Sequence, residues 1–152
     1  MGYTFTWHYQ PKLAVAKESV KRFKRRLREE LRKGRGRNLR TVVTGLRRRL
    51  IGWLSYFGKS EVKKTFADLD MWLRRKLRCI LWRQWKTPRR RARELMKRGL
   101  DRATARSGAS NGRGPWHNAA SQQMNQAVTN RWLSEQGLVS LLERMTIKWC
   151  ST

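Results

Sequence analysis

The sequence predicts a mainly α protein: an N-terminal β-hairpin, a bundle of three long amphipathic helices, and a smaller helical C-terminal region. Three observations carry this. Apolar residues recur at helical spacing from Val20 to Trp85, interrupted only where glycines stand. The opening residues alternate instead with a period of two. Finally, 39% of the 152 residues are hydrophobic and eight are Trp, despite a formal net charge of +27. A disordered basic tail lacks that much apolar surface, so the chain folds.

Each element has its own signal. Tyr3, Phe5 and Trp7 alternate with Thr4, Thr6 and His8, Gln10-Pro11 marks a turn, and residues 12–16 return as a second strand. A two-stranded hairpin is marginal in water and needs a larger sheet or a helical face to lean on. Val20, Phe23, Leu27 and Leu31 form the apolar stripe of a first helix, which Gly34 and Gly36 stop. Asn38 caps a second, striped by Leu39, Val42, Val43, Leu46, Leu50, Trp53, Leu54 and Phe57 and ended by Gly58. A third runs from near Ser60 through Phe66, Leu69, Leu73, Leu77, Ile80 and Leu81 to about Trp85. Short connections favour an up-down-up bundle.

Beyond it the pattern is less regular. Thr87-Pro88 starts a helix over residues 89–98 that Gly99 closes, and a short helix follows from Asp101 to about Ser107. Residues 108–118, rich in glycine, read as loop. One neutral helix is expected from about Ser121 to Gln136, then a last turn over Ser140–Met145. The chain thus divides into a hairpin (1–16), a three-helix bundle (17–86) and a C-terminal helical region (87–152).

Charge narrows the function. Residues 17–113 hold 33 of the 37 Lys and Arg but only eight of the ten Asp and Glu. A compact body so charged repels itself and makes sense beside a polyanion. Nucleic acid is the leading candidate, because each phosphate neutralised releases a condensed counterion. Cys79 and Cys150 make no ligand cluster and no disulfide framework, so a reducing compartment is the simplest setting. The N-terminus lacks a signal-peptide pattern, and no apolar stretch is long enough to span a membrane.

No constellation for catalysis stands out. Asp68 and Asp70 are close in sequence but point apart on a helix, and a solvated or charge-pairing role among neighbouring arginines is expected for them. His8 and His117 are far apart in sequence, without metal-ligand spacing around either, and no glycine loop precedes a Lys-Ser or Lys-Thr pair. The chain by itself reads as non-catalytic, with no metal and no cofactor.

Three basic constellations read as the nucleic-acid surface. The first is Lys21, Arg22, Lys24, Arg25 and Arg28 on helix one, and the second is Arg47, Arg48 and Arg49 on helix two. The third combines Arg74, Arg75, Arg78, Trp82, Arg83 and Trp85 with Arg89, Arg90, Arg91 and Arg93 beyond the helix. Arginine forks match phosphate oxygens, and tryptophan offers a stacking platform for unpaired bases. For Trp53 and Trp72 a core position is the preferred reading. For Trp82 and Trp85 core and base stacking stand level.

The string Leu69-Asp70, Trp72-Leu73-Arg74-Arg75, Leu77-Arg78-Cys79, Trp82-Arg83-Gln84-Trp85-Lys86 resembles the thumb and maturase-specific domain (domain X) of group II intron-encoded reverse transcriptases. Leu50, Gly52, Trp53, Tyr56 and Phe57 resemble a helix of that family. Gly114-Pro115-Trp116 and Gly137-Leu138 with Ser140-Leu141 resemble its C-terminal segment, and Gly2 to Phe5 the end of its palm. The family's Tyr-x-Asp-Asp turn, its fingers and palm, and its zinc-bearing endonuclease domain are not in this sequence. The resemblance therefore implies a thumb-like bundle at 17–86, a maturase-specific region at 87–152, and a C-terminal fragment, truncated product or excised domain. It implies binding of structured group II intron RNA in support of splicing, and in the parent enzyme a grip on the template–primer duplex. It also implies a bacterial cytoplasmic or organellar setting. Two rivals remain: one piece of an RNA-directed DNA polymerase whose catalytic half is supplied separately, or a generic basic protein of ribosome or chromatin type.

Overall fold

The computed structural model describes residues 2–151, and of Trp149 the backbone alone. Strands β1 (Tyr3–Phe5) and β2 (Leu13–Val15) pair antiparallel, with Tyr3 opposite Val15 and Phe5 opposite Leu13. Among the described residues nine helices follow. They are α1 (Lys17–Lys33), α2 (Leu39–Phe57), α3 (Lys64–Gln84), α4 (Pro88–Lys97), α5 (Arg102–Ala109), α6 (Pro115–Asn118), α7 (Gln122–Ala127), α8 (Asn130–Glu135) and α9 (Leu141–Cys150). The protein is mainly α, as its periodicity indicates.

The three long helices bury the stripes read from the sequence. Phe23, Leu27 and Leu31 of α1 meet Leu46, Leu50 and Leu54 of α2 and Phe66, Leu69, Leu73 and Leu77 of α3 in one core. Gly34 ends α1 where a Cβ would come within 2.7 Å of Val42, so the close approach of the α1–α2 turn to α2 favours glycine. The caps read from the sequence form: Asn38 accepts from the Arg40 amide, and the Thr87 hydroxyl from that of Arg90.

The hairpin finds a helical face rather than a larger sheet. The Tyr3 hydroxyl donates to the Tyr56 carbonyl at 2.6 Å. The Leu13 amide donates to the Glu61 carboxylate at 2.6 Å, and the Glu61 amide returns a bond to the Leu13 carbonyl at 2.8 Å. Ala14 and Val15 are buried.

Four expectations need correction. Asp70 is neither solvated nor paired with arginine. It is 3% exposed and accepts from the Ser140 hydroxyl (2.7 Å) and the amides of Leu141 (2.9 Å) and Leu142 (3.1 Å). It thus ties the N-terminus of α9 to the middle of α3, and α9 is a ten-residue helix packed on α2 and α3 rather than a single turn. Asp68, by contrast, is exposed and pairs with Lys64 at 3.4 Å. The helix expected over 121–136 breaks into α7 and α8 because Val128 leaves helical geometry and Thr129 caps a new start. The glycine-rich stretch is partly helical: α5 reaches Ala109, and Pro115 opens α6.

Candidate nucleic-acid interface

The C-terminal half of α3 lies between two layers, so it shows no single apolar stripe. Leu77, Arg78, Cys79, Ile80, Leu81 and Trp82 are all buried in succession. Trp82 is 2% and Trp85 4% exposed, with ring centroids 6.4 Å apart. Both belong to the core, and the base-stacking expectation is withdrawn for them. The Arg91 guanidinium lies 4.8 Å over the Trp82 ring while its Nε donates to the Trp82 carbonyl. Arg98 lies 4.9 Å over Trp85. These contacts fasten α4 to α3.

Arg78 is also structural. It is 6% exposed, its Nε donating to the Val128 carbonyl and a terminal nitrogen to Asn130 Oδ1, both at 2.8 Å. The break between α7 and α8 leaves that carbonyl without a helical partner, and Arg78 takes it. Burial, and Arg74 beside it, lower the Arg78 pKa to about 10.

The other residues expected to meet nucleic acid lie at or near the surface, with some already engaged. Arg25, Arg47, Arg48, Arg89, Arg90 and Arg93 are exposed, and Arg74 is half-buried. Lys21 pairs with Glu18 at 3.0 Å, and Arg49 with Glu30 at 2.8 Å. Lys24 and Arg28 stand 5.4 and 5.5 Å over the Trp72 ring, from α1 across to α3. Arg75 lies 3.9 Å over Trp116 and donates two hydrogen bonds to its carbonyl, pinning α6 to α3. Lys76 sits between the two tryptophans, 5.7 Å from Trp72 and 4.7 Å from Trp116. The result is a partly exposed aromatic and cationic strip across α1, α3 and α6.

The strip leads at Arg28 and Lys76 into a cleft of about 110 Å³ between α1 and α3. Arg28, Arg32, Arg35, Lys76 and Arg83 line it with Leu31 and Ile80, and no carboxylate is among the lining residues. Burial chiefly, with repulsion from Arg28, Arg83 and Arg35, holds the Lys76 pKa below the usual lysine value. Gln84 fixes one wall by donating to the carbonyls of Arg35 (3.1 Å) and Arg37 (2.8 Å). Five converging cations repel one another until an anion enters, and phosphate suits arginine forks.

Sequence reading found Arg28 and Arg83 but missed Arg32, Arg35 and Lys76. The signal was present: Arg28, Arg32 and Arg35 follow at four- and three-residue steps, and Lys76 and Arg83 at a seven-residue step on the facing helix. Among the described residues, no group of three or more His, Cys, Asp or Glu is placed to hold a metal ion, and no helix is long and apolar enough to cross a membrane.

The protein is a strongly basic helical bundle whose cations gather along α1 and α3. Residues 20–99, from α1 to the end of α4, match the family described as group II intron, maturase-specific domain. That span is more than half of the chain, and the protein belongs to this family. It runs across the division at 86/87 drawn from the sequence. No match is found among curated proteins.

Proposed function

We propose that this maturase-specific domain binds the structured RNA of a group II intron and supports its splicing, the RNA supplying the chemistry. The observation that supports this reading best is the α1–α3 cleft, where five cations converge without a carboxylate among the lining residues. Folded RNA is recognised mainly through shape, phosphates and 2′-hydroxyls, and a rigid array of forks with an adjoining Trp72–Trp116 strip suits that task. Asp70 and Gln84 act indirectly, holding α9 and the α1–α2 turn against α3.

Two charge-matched double reversals test it. Arg32→Glu with Arg83→Glu alters the cleft, and Arg89→Glu with Arg90→Glu alters the first turn of α4 by the same net charge. The cleft pair is expected to weaken intron RNA binding at least about tenfold more than the α4 pair, with helicity unchanged. Equal losses would mean that bulk charge, not this cleft, binds the RNA.

A further inference from the structure

A second cleft, of about 430 Å³, opens on the other side of α1, between its N-terminal half and the C-terminal half of α2. It is built differently from the cationic cleft. Phe23, Trp53, Tyr56 and Phe57 form an aromatic wall, with Phe23 and Trp53 stacked at 4.5 Å and 7°. Arg22, Arg26 and Arg49 also line it. Arg49 is engaged by Glu30, whereas Arg22 and Arg26, one turn apart, have no acidic partner among the described residues.

Two further features show that the space is held open with polar capacity inside. Ser19 is 9% exposed and lines the cleft, yet its hydroxyl has no hydrogen-bond partner among the described residues. That hydroxyl faces the open cleft and is free to donate to or accept from a ligand atom. Gly52 lines the same cleft in the interior of α2, where glycine is the poorest helix former after proline. A Cβ there would meet nothing within 4 Å, so no neighbour requires the glycine. Its effect is to leave the cleft empty.

We propose that this cleft takes a single unpaired nucleotide. Its base lies along the aromatic wall, its phosphate meets Arg22 and Arg26, and a sugar or base polar group bonds the Ser19 hydroxyl. The assignment deepens the RNA-binding reading and rests on it only for the class of ligand. An aromatic wall alone would accept any apolar segment, but paired arginines without acidic partners select an occupant that is both flat and anionic. The volume is that of a small-ligand site.

The 152-residue protein is titrated calorimetrically with adenosine 5′-monophosphate, adenosine and inorganic phosphate, and photocrosslinked to a single-stranded RNA carrying 5-iodouridine. The monophosphate is expected to bind at least about tenfold more tightly than adenosine or phosphate alone. Ser19→Ala should weaken it about fivefold, a net hydrogen bond's worth. Gly52→Leu, which removes no charge and improves helix propensity, should abolish it while structured-RNA binding persists. Crosslinks should map to the tryptic peptide spanning residues 50–59. Undetectable monophosphate binding, binding no tighter than phosphate alone, indifference to Gly52→Leu, or crosslinks confined to other peptides would each overturn the assignment. Those failures leave salt-dependent binding of structured RNA intact; loss of the latter, with monophosphate still bound, would sink the broader reading alone.

Discussion

Replacing Asp70 with alanine should unfasten the C-terminal helix from the bundle. The carboxylate accepts three hydrogen bonds of 2.7–3.1 Å at the N-terminus of α9 and is 3% exposed. Its loss leaves the Leu141 and Leu142 amides and the Ser140 hydroxyl to find other partners. A hydrogen bond to a charged group contributes about 1.5–3 kcal/mol, and the bonds share one acceptor and are not additive, so a loss of about 3 kcal/mol is expected. With a urea dependence of about 2 kcal/mol per molar, the unfolding midpoint followed by circular dichroism should fall by about 1.5 M. Asp70→Asn keeps an acceptor oxygen but loses the charge facing the helix N-terminus, and should fall roughly half as far. In a double-mutant cycle, Ser140→Ala should cost less in the Asp70→Ala background than in the wild type. An Asp70→Ala protein within about 0.5 kcal/mol of wild type, or strict additivity with Ser140→Ala, would refute the capping role.

Other consequences follow from the same packing. Trp82→Ala should destabilise the protein by about 3–5 kcal/mol, as for a buried ring, and any loss of RNA affinity should track the unfolded fraction. Affinity lost in a fully folded Trp82→Ala protein would restore base stacking to that ring. The hydrogen bond from Arg98 to Glu94 at 2.7 Å, with the Lys97 and Arg90 charges, holds the Glu94 pKa below its usual 4.5 against the opposing effect of burial. The unfolded state therefore takes up this proton first as pH falls, so the stability it contributes is present above about pH 4.5 and is lost on acidification through the folded value. Glu94→Gln should flatten that part of the acid-unfolding profile, and an unchanged profile would contradict it. The Leu13 amide, bonded to Glu61 in the segment before α3, should exchange slowly, and Glu61→Ala should speed its exchange; fast exchange at Leu13 in the wild type would show the hairpin undocked.

The sequence carried the local signals and lost the long-range ones. The stripes of α1 and α2, the Asn38 and Thr87 caps and the Gly34 stop follow from periodicity and side-chain chemistry within a few residues. Asp70 could not be read that way, because its partners lie about seventy positions downstream. Val128 looks helical by composition, and the break there is favoured only when Arg78, fifty positions away, takes its carbonyl. Trp82 and Trp85 were ambiguous because α3 is covered on both sides, which erases the contrast between a wet and a dry face. The cationic cleft was half visible: its cations stand at helical steps, but only packing of α1 against α3 makes the two rows one site.

The central claim is that this domain recognises intron RNA through a fixed cationic surface, and a salt titration of binding tests it most directly. A group II intron RNA and an unrelated duplex of equal length are compared, with circular dichroism as the control for folding. If six to ten phosphates are contacted, affinity for the intron should fall by about 10³–10⁵ between about 50 and 200 mM salt. A preference for the intron should persist across that range, and the Arg32→Glu, Arg83→Glu protein should lose both that preference and about two units of the logarithmic slope. A flat salt response, or equal affinity for both RNAs at every salt concentration, would contradict the account.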